Sequence, residues 1–260
     1  MAFLNESNIQ AHIMRRDNRN LLKFGWFLLA CHGERVASFA ACMIVQRGVY
    51  SEETDWFLFQ RWIMTKGQQT RQYIIQQAAT LFNQRGYSGS SISDVMECTG
   101  LKKGGIYRHF QNKEHLALAA FDYAQQQSTS PLVEAVAAET DAVQKLLAFI
   151  DAFHTHTLHP PVPGGCPILN TIVDSDDGDP ALRERVVAVV AEWEQLIARI
   201  VVDGVAQGSI RRDSDPQAVA TLIIATLEGG ILLARAHQSA VYLQHTVDHL
   251  VQYVRRDVAA

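Results

Sequence analysis

Apolar positions in the middle of the chain return at helical spacing. Ile74, Ala78, Leu81 and Phe82 stand at i, i+4, i+7 and i+8, which is one face of a helix, and Gly86 follows as its C-cap. Ile92, Val95 and Met96 recur at i, i+3 and i+4 and predict a second, short helix. The Ser91 hydroxyl can accept from a first-turn amide, and Asp94 sits near the positive end of the helix dipole. Gly100 supplies the permissive backbone of a turn, with Leu101 packed beneath it. A third segment, Lys102 to His109, carries Lys102, Lys103, Arg108 and His109 around Ile106 and Tyr107. A basic surface therefore faces out while Ile106 anchors the core. Asn112 is the expected N-cap of the next helix, Lys113 to about Gln127, with Leu116, Ala119, Ala120 and Tyr123 inward.

The remainder also reads as helices. Val133–Thr140 and Val143–Phe153 come first, followed by a break from His159 through Pro160, Pro161, Pro163 and Gly164 to Gly165. A new segment opens at Cys166-Pro167, and Asp174–Pro180 is a turn. Leu182–Gln207 is a long amphipathic helix, Pro216 opens Gln217–His237, and Val241–Val254 closes the chain. The fold class is all-α: an N-terminal three-helix unit containing helix, glycine-bearing turn and basic helix, then a C-terminal helical domain.

Residues 1–63 have a different character. Their apolar runs Phe24–Cys31 and Val36–Val45 are broken by His32, Glu34 and Arg35, so neither reaches the roughly 20 apolar residues that span a bilayer. Arg15, Arg16, Arg19 and Lys23 before Leu28 and Leu29 mimic an export signal but lie inside the chain, ahead of the basic module. The expectation is no membrane association and a cytoplasmic protein. The domains expected are 1–63, an N-terminal extension; 64–112, the helix-turn-helix domain; and 113–260, the helical C-terminal domain.

Charge alters the picture more than composition does. The 260 residues are 48% hydrophobic with a formal net charge of −4, which argues against a nucleic-acid partner if spread evenly. It is not spread evenly. Residues 64–127 hold seven Lys or Arg against four Asp or Glu, whereas residues 128–260 hold nine against seventeen. A basic module thus precedes an acidic body, suited to phosphate at one end only. Cys31, Cys42, Cys98 and Cys166 are widely spaced without a CxxC, which suits reduced thiols rather than a disulfide framework.

From about Gln68 to Lys113 the chain resembles the TetR-type family of bacterial transcription factors. The resemblance is carried by Ala78, Leu81, Phe82, Gly86, Tyr87, Ser91, Ile92, Asp94, Val95, Gly100, Lys103, Gly104, Ile106, Tyr107, His109, Phe110, Lys113, Glu114 and Leu116. Lys102 replaces the family's usual small hydroxyl residue, and Gly105 its Ser, Thr or Ala. Met64-Thr65-Lys66-Gly67 resembles the usual start of such a chain, which implies that residues 1–63 are an extension from an over-called start. The resemblance implies a homodimer on a palindromic double-stranded operator, with half-sites about 34–36 Å apart. It places Ser91, Tyr107, His109 and Lys113 at phosphates, and Lys102, Gly105 and Arg108 toward the bases, with Lys103 on the same surface. For Arg108 two readings stay open, a bidentate guanine contact or one more phosphate contact. In this family the last two long helices pair with their copies; Ala218, Leu222, Ala225, Leu227, Gly229, Gly230 and Leu233 are small and apolar enough for that.

The C-terminal domain is expected to enclose an effector cavity among Phe121, Phe149, Phe153, Cys166, Leu169, Ile172, Trp193 and Leu227, each of which is also ordinary core material. Gly165-Cys166-Pro167 resembles the flavonoid- and multidrug-responsive subgroup of the family. Cys166 precedes a Pro suited to a first helical position, so the dipole favours its thiolate. A thiol sensor of electrophiles or oxidants is the alternative on the same scaffold; plain packing at a helix start is the other reading. His154, His156 and His159 resemble a metal tract, the basis of a more distant enzyme alternative, but 154 and 156 point to different faces and no carboxylate completes the set. The Asp174, Asp176, Asp177, Asp179 run departs from a calcium loop at Gly178 and Arg185, and Asp179 is the expected cap of the helix after Pro180. No GxSxG or HExxH occurs. The expectation is a DNA-binding repressor with no catalytic residues, cofactor or metal.

Overall fold

A computed structural model describes residues 64–175 and 179–260. The expectations placed on residues 1–63, and on Asp176 and Asp177, lie outside the described residues. The helices are α1 (Lys66–Arg85), α2 (Ile92–Thr99), α3 (Lys103–Tyr107), α4 (Lys113–Ala138), α5 (Ala142–Leu158), α6 (Pro167–Ser175), α7 (Pro180–Gln207), α8 (Pro216–Ala236) and α9 (Val241–Tyr253), followed by a π-helical turn, Val254–Val258. The sole β-type pairing among the described residues is one bridge between Ile210 and Ala259.

Local signals decide most helix ends. The side chains of Asn112, Asp141, Asp179 and Asp215 accept from amides two or three residues on, at 2.8–3.0 Å. Each such cap contributes about 1 kcal/mol. Pro180 and Pro216 occupy first turns, where their missing N–H has no intrahelical partner to lose. Gly86 and Gly100 end α1 and α2 at φ +79° and +68°, a region disfavoured for residues with a Cβ.

The break expected between Gln127 and Val133 does not occur. α4 runs on through Ser128, Thr129, Ser130 and Pro131. Pro131 lacks the N–H that would reach back one turn, but burial of Ala124 before it and of Leu132 and Val136 after it keeps the helix continuous.

Two buried clusters form. The first gathers Ile74, Ala78 and Leu81 of α1, Val95 of α2, Ile106 and Phe110, with Leu116, Ala120 and Ala124 of α4. The second joins α5 to α9 around Leu146, Phe149, Trp193, Ile197, Ile223 and Leu227, with Ala117 and Phe121 of α4. α4 thus belongs to both clusters, so the boundary expected at residue 113 runs along a helix that both share.

α8 is long and apolar enough to cross a membrane by composition alone, with a mean hydropathy of 1.7. In the structure one of its faces is core: Val219, Ala220, Ile223, Leu227, Gly230 and Ile231 are buried. Two residues expected at a subunit interface are therefore turned inward. Leu227 is fully buried, and a Cβ on Gly230 would run into Thr246 Oγ1 on α9, so its small size serves contact within one subunit. Leu222, Leu232 and Leu233 remain exposed on α8.

Candidate functional site

The α2–turn–α3 unit is held by short local bonds. Ser91 Oγ accepts from Asp94 N at 3.2 Å, and the Asp94 carboxylate accepts from Ser91 N at 2.7 Å, a complete capping box. Ser91 Oγ also donates to Asp94 Oδ2 at 2.6 Å, and this bond first, then that from the Ser91 amide, holds the Asp94 carboxyl below the usual range. At the turn, Thr99 Oγ1 donates to Val95 O at 2.6 Å and accepts from Leu101 N at 3.3 Å. Ile106 and Phe110 are buried and pin the short α3 to the core.

Pinning one side of α3 presents the other. Lys102, Lys103, Gly104, Tyr107 and Arg108 are exposed together. Lys102 is the N-cap rather than part of the helix and makes no capping bond, while Lys103 Nζ lies 5.8 Å from the centre of the Tyr107 ring. Among the described residues the ion pairs are Arg85–Asp94, Arg185–Asp122 and Arg211–Asp213, so no carboxylate neutralises Lys102, Lys103 or Arg108. Gly105 is half-buried, and a methyl group there would meet only Leu101 Cβ at 3.6 Å.

Three further residues expected at phosphates have partners within the protein or are half-buried. Lys113 is half-buried, donates to Tyr87 O at 2.6 Å and stands 4.0 Å from the centre of the Tyr87 ring, so its ammonium clips α4 to the loop after α1. Ser91 is exposed but engaged by Asp94, and His109 is half-buried. Tyr87 donates to Glu114 Oε1 at 3.2 Å; burial, then the Glu114 charge, pushes its pKa up to about 12.

Two clefts flank the C-terminal body. One, an open cleft between α1, α4 and α6, is bordered by Phe82, Asn83, Phe121, Asn170 and Asp174. The other, also open to solvent, is bordered by Leu132, Phe153, His156, Cys166, Trp193 and Ile231. Of the eight residues expected around a single cavity, Phe153, Cys166 and Trp193 meet at the second cleft and Phe121 at the first. Phe149 is buried core, its ring edge-on to Trp193 at 6.2 Å, as the Phe153 ring is at 6.1 Å. Leu169 and Ile172 pack against the core and, like Leu227, border neither cleft.

Cys166 departs from the thiolate expectation. Its Sγ donates to Glu228 Oε1 at 3.1 Å, and burial, then the Glu228 charge, pushes the thiol well above its ordinary value. The helix start is outweighed by desolvation, and the sulfur is a neutral donor rather than a reactive anion. Burial also raises the Glu228 carboxyl to about 7, the thiol bond opposing. Sequence reasoning passed over Glu228, although an acid alone in the apolar run of α8 was a visible signal.

A polar chain runs from this second cleft to α1. Asn83 Nδ2, buried in α1, donates to Pro163 O and Gly165 O at 3.1 Å each. Asn170 Nδ2 of α6 donates to Asn83 Oδ1 at 2.9 Å and to Gly164 O at 2.8 Å, and Arg235 of α8 donates to Asn170 Oδ1 at 3.0 Å. Gly164, at φ +125°, lies so close that a Cβ would stand 2.6 Å from Asn83 O. At the same junction Asp174 Oδ2 accepts from Ser88 N at 2.9 Å, which gives this acid a structural partner.

His156 Nδ1 lies 2.8 Å from Ala152 O and His159 is exposed. Among the described residues no three His, Cys, Asp or Glu are gathered as a metal set.

Comparison with known proteins agrees with this layout. Residues 74–120 match the profile described as bacterial regulatory proteins, tetR family, and residues 142–250 match the one described as tetracyclin repressor-like, C-terminal domain. The HTH-type transcriptional repressor DhaR of Mycobacterium sp. (strain GP1) is 29% identical over 166 residues, 62% of this chain and 80% of that protein. An uncharacterized HTH-type transcriptional regulator of Mycobacterium tuberculosis is 31% identical over 177 residues, covering 65% and 85%. The crystal structure of a TetR transcriptional regulator from Chloroflexus aurantiacus superposes with a TM-score of 0.73 at 49% identity, covering 75% of this chain and 99% of that one.

Proposed function

Because the chain belongs to the TetR family of bacterial regulatory proteins, and is a transcriptional regulator rather than an enzyme, we propose that it is a cytoplasmic, homodimeric repressor that leaves a palindromic operator when a small molecule binds its C-terminal domain. The observation that carries this reading is the cluster of Lys102, Lys103, Tyr107 and Arg108, exposed and unneutralised on a helix-turn-helix otherwise pinned by Ile106 and Phe110. DhaR, a similar protein of comparable extent, is a repressor by name. Lys102, Gly105 and Arg108 meet base edges, Lys103 and Tyr107 meet phosphate, and Ser91, His109 and Lys113 border the same surface. The exposed stripe of Leu222, Leu232 and Leu233 on α8 meets its copy across a two-fold axis.

Release follows from the polar chain. Cys166 borders the effector cleft, Gly165 immediately before it accepts from Asn83 of α1, and Gly164 accepts from Asn170, which itself donates to Asn83. A ligand that moves the start of α6 tilts α1, and with it the two reading helices, away from half-sites about 34–36 Å apart.

The test is electrophoretic mobility shift on the DNA upstream of the protein's own gene, titrated with salt. Affinity should fall steeply as salt rises. Arg108→Ala should cost about 1–3 kcal/mol and relax base preference at one position, whereas Lys103→Ala should weaken all sequences alike and lower the salt slope by about 1. Absence of a sequence-specific shift at moderate salt defeats the proposal.

A further inference from the structure

The cleft at Cys166 is mostly apolar, yet the buried Trp193 Nε1 on its wall has no hydrogen-bond partner, and neither has Glu228 Oε2, whose side chain meets that wall through the Cys166 thiol. Trp193 borders the cleft and is only 3% exposed. Glu228 stands just under one turn before Ile231 of the same wall on α8, with its other oxygen taken by the Cys166 thiol. Such orphans are few in folded proteins, because each has given up water without a replacement. Two at one cleft are atoms that a ligand's polar groups can satisfy.

Their chemistry defines that ligand. An indole N–H only donates, and the Glu228 carboxyl, once ionised, only accepts. The wall, drawn from α4 to α8 and the loop before α6, contains no Lys or Arg, and its own titratable groups are Cys166 and His156, with Glu228 behind it on the Cys166 thiol. A thiol is a weak donor, so the carboxylate is short of positive charge. The aromatic rings of Phe153 and Trp193 stand on the same wall. A carboxylate beside aromatic faces in a partly dry cleft is a setting that holds an organic ammonium, by charge-assisted hydrogen bonding and by attraction to the rings.

Resting on the effector-controlled reading above, we infer that this cleft binds a small protonated amine, its ammonium on Glu228 Oε2 and a ligand oxygen accepting from Trp193 Nε1. The amine completes a set of contacts that neither a neutral hydrocarbon nor an anion satisfies. Cys166 supports it as a positioning residue, fixing the carboxylate through Oε1.

The full chain is titrated by calorimetry with 2-phenylethylamine, 2-amino-1-phenylethanol and 2-phenylethanol, which separate charge from hydroxyl on one apolar body. The amine should bind at least about tenfold more tightly than the alcohol, and the amino alcohol more tightly still. Glu228→Gln should abolish the amine's advantage; Trp193→Phe should erase only the gain from the added hydroxyl. If Glu228→Gln does not fold, the wild-type ratios and Trp193→Phe still decide. Equal binding of amine and alcohol, no binding of either amine, or a ratio untouched by Glu228→Gln overturns the assignment. Operator binding by the wild type, run in parallel, keeps the outcomes apart: its presence with no amine preference refutes the amine alone, and its absence refutes the repressor.

Discussion

Glu228 should make this protein less stable as pH rises through the neutral range. In the unfolded chain its carboxyl ionises near 4.5, whereas in the folded protein burial raises it to about 7. Below 4.5 both states hold the proton and nothing differs. Between the two values the folded state keeps a proton that the unfolded chain has lost, so unfolding free energy falls with pH; above 7 the loss is complete. The full difference is about 3 kcal/mol, of which about 2.5 kcal/mol falls between about pH 5 and pH 8. For a folded unit of this size that is roughly 5–10 °C in midpoint. Glu228 is not the only titratable group in the chain, so wild type alone is not decisive. The measurement is thermal unfolding of wild type and Glu228→Gln at both pH values and one protein concentration, since an oligomer's midpoint depends on concentration. The variant should gain on the wild type by the stated amount from the lower to the higher pH. A constant difference between the two proteins refutes the reasoning.

The glycines give two further tests. Gly164→Ala places a methyl 2.6 Å from the Asn83 carbonyl at φ +125°, and should cost roughly 2–4 kcal/mol in urea unfolding; a loss below about 1 kcal/mol means the contact is not as tight as drawn. Gly104→Ala meets nothing within 4 Å and should stabilise by up to about 1 kcal/mol, while weakening operator binding because the added methyl faces the duplex; higher stability with unchanged affinity refutes close backbone approach there.

What could be read from the chain was whatever a few neighbouring residues decide. The capping box of Ser91 and Asp94, the turn at Gly100, Asp179 before Pro180 and the end of α1 at Gly86 each depend on residues a turn apart, and each is found where expected. The misreadings depend on distant partners. Ser128 to Pro131 looks like a break because local propensity argues for one, and only burial of Leu132 and Val136 overrides it. The bond from Lys113 to Tyr87 O, 26 residues upstream, is likewise invisible to local pattern. Leu227 and Gly230 are apolar and small, which suits the inner and outer faces of α8 equally, so periodicity alone does not say which neighbour they meet. The cleft was legible as an aromatic group around Cys166, but its polar set was not, because Glu228 lies 62 residues from the thiol it binds.

The double membership of α4 has a bearing on exchange of parts between such proteins. Leu116, Ala120 and Ala124 face one cluster while Ala117 and Phe121, on adjoining rows, face the other. A chimera cut at residue 113 would carry a foreign reading head onto a helix whose inner rows were shaped for another. The seam that permits such a transplant lies across α4 rather than before it: the donor must bring its own equivalents of Leu116, Ala120 and Ala124, and the recipient must keep Ala117 and Phe121. Modularity here is a property of rows of side chains, and it divides one helix lengthwise.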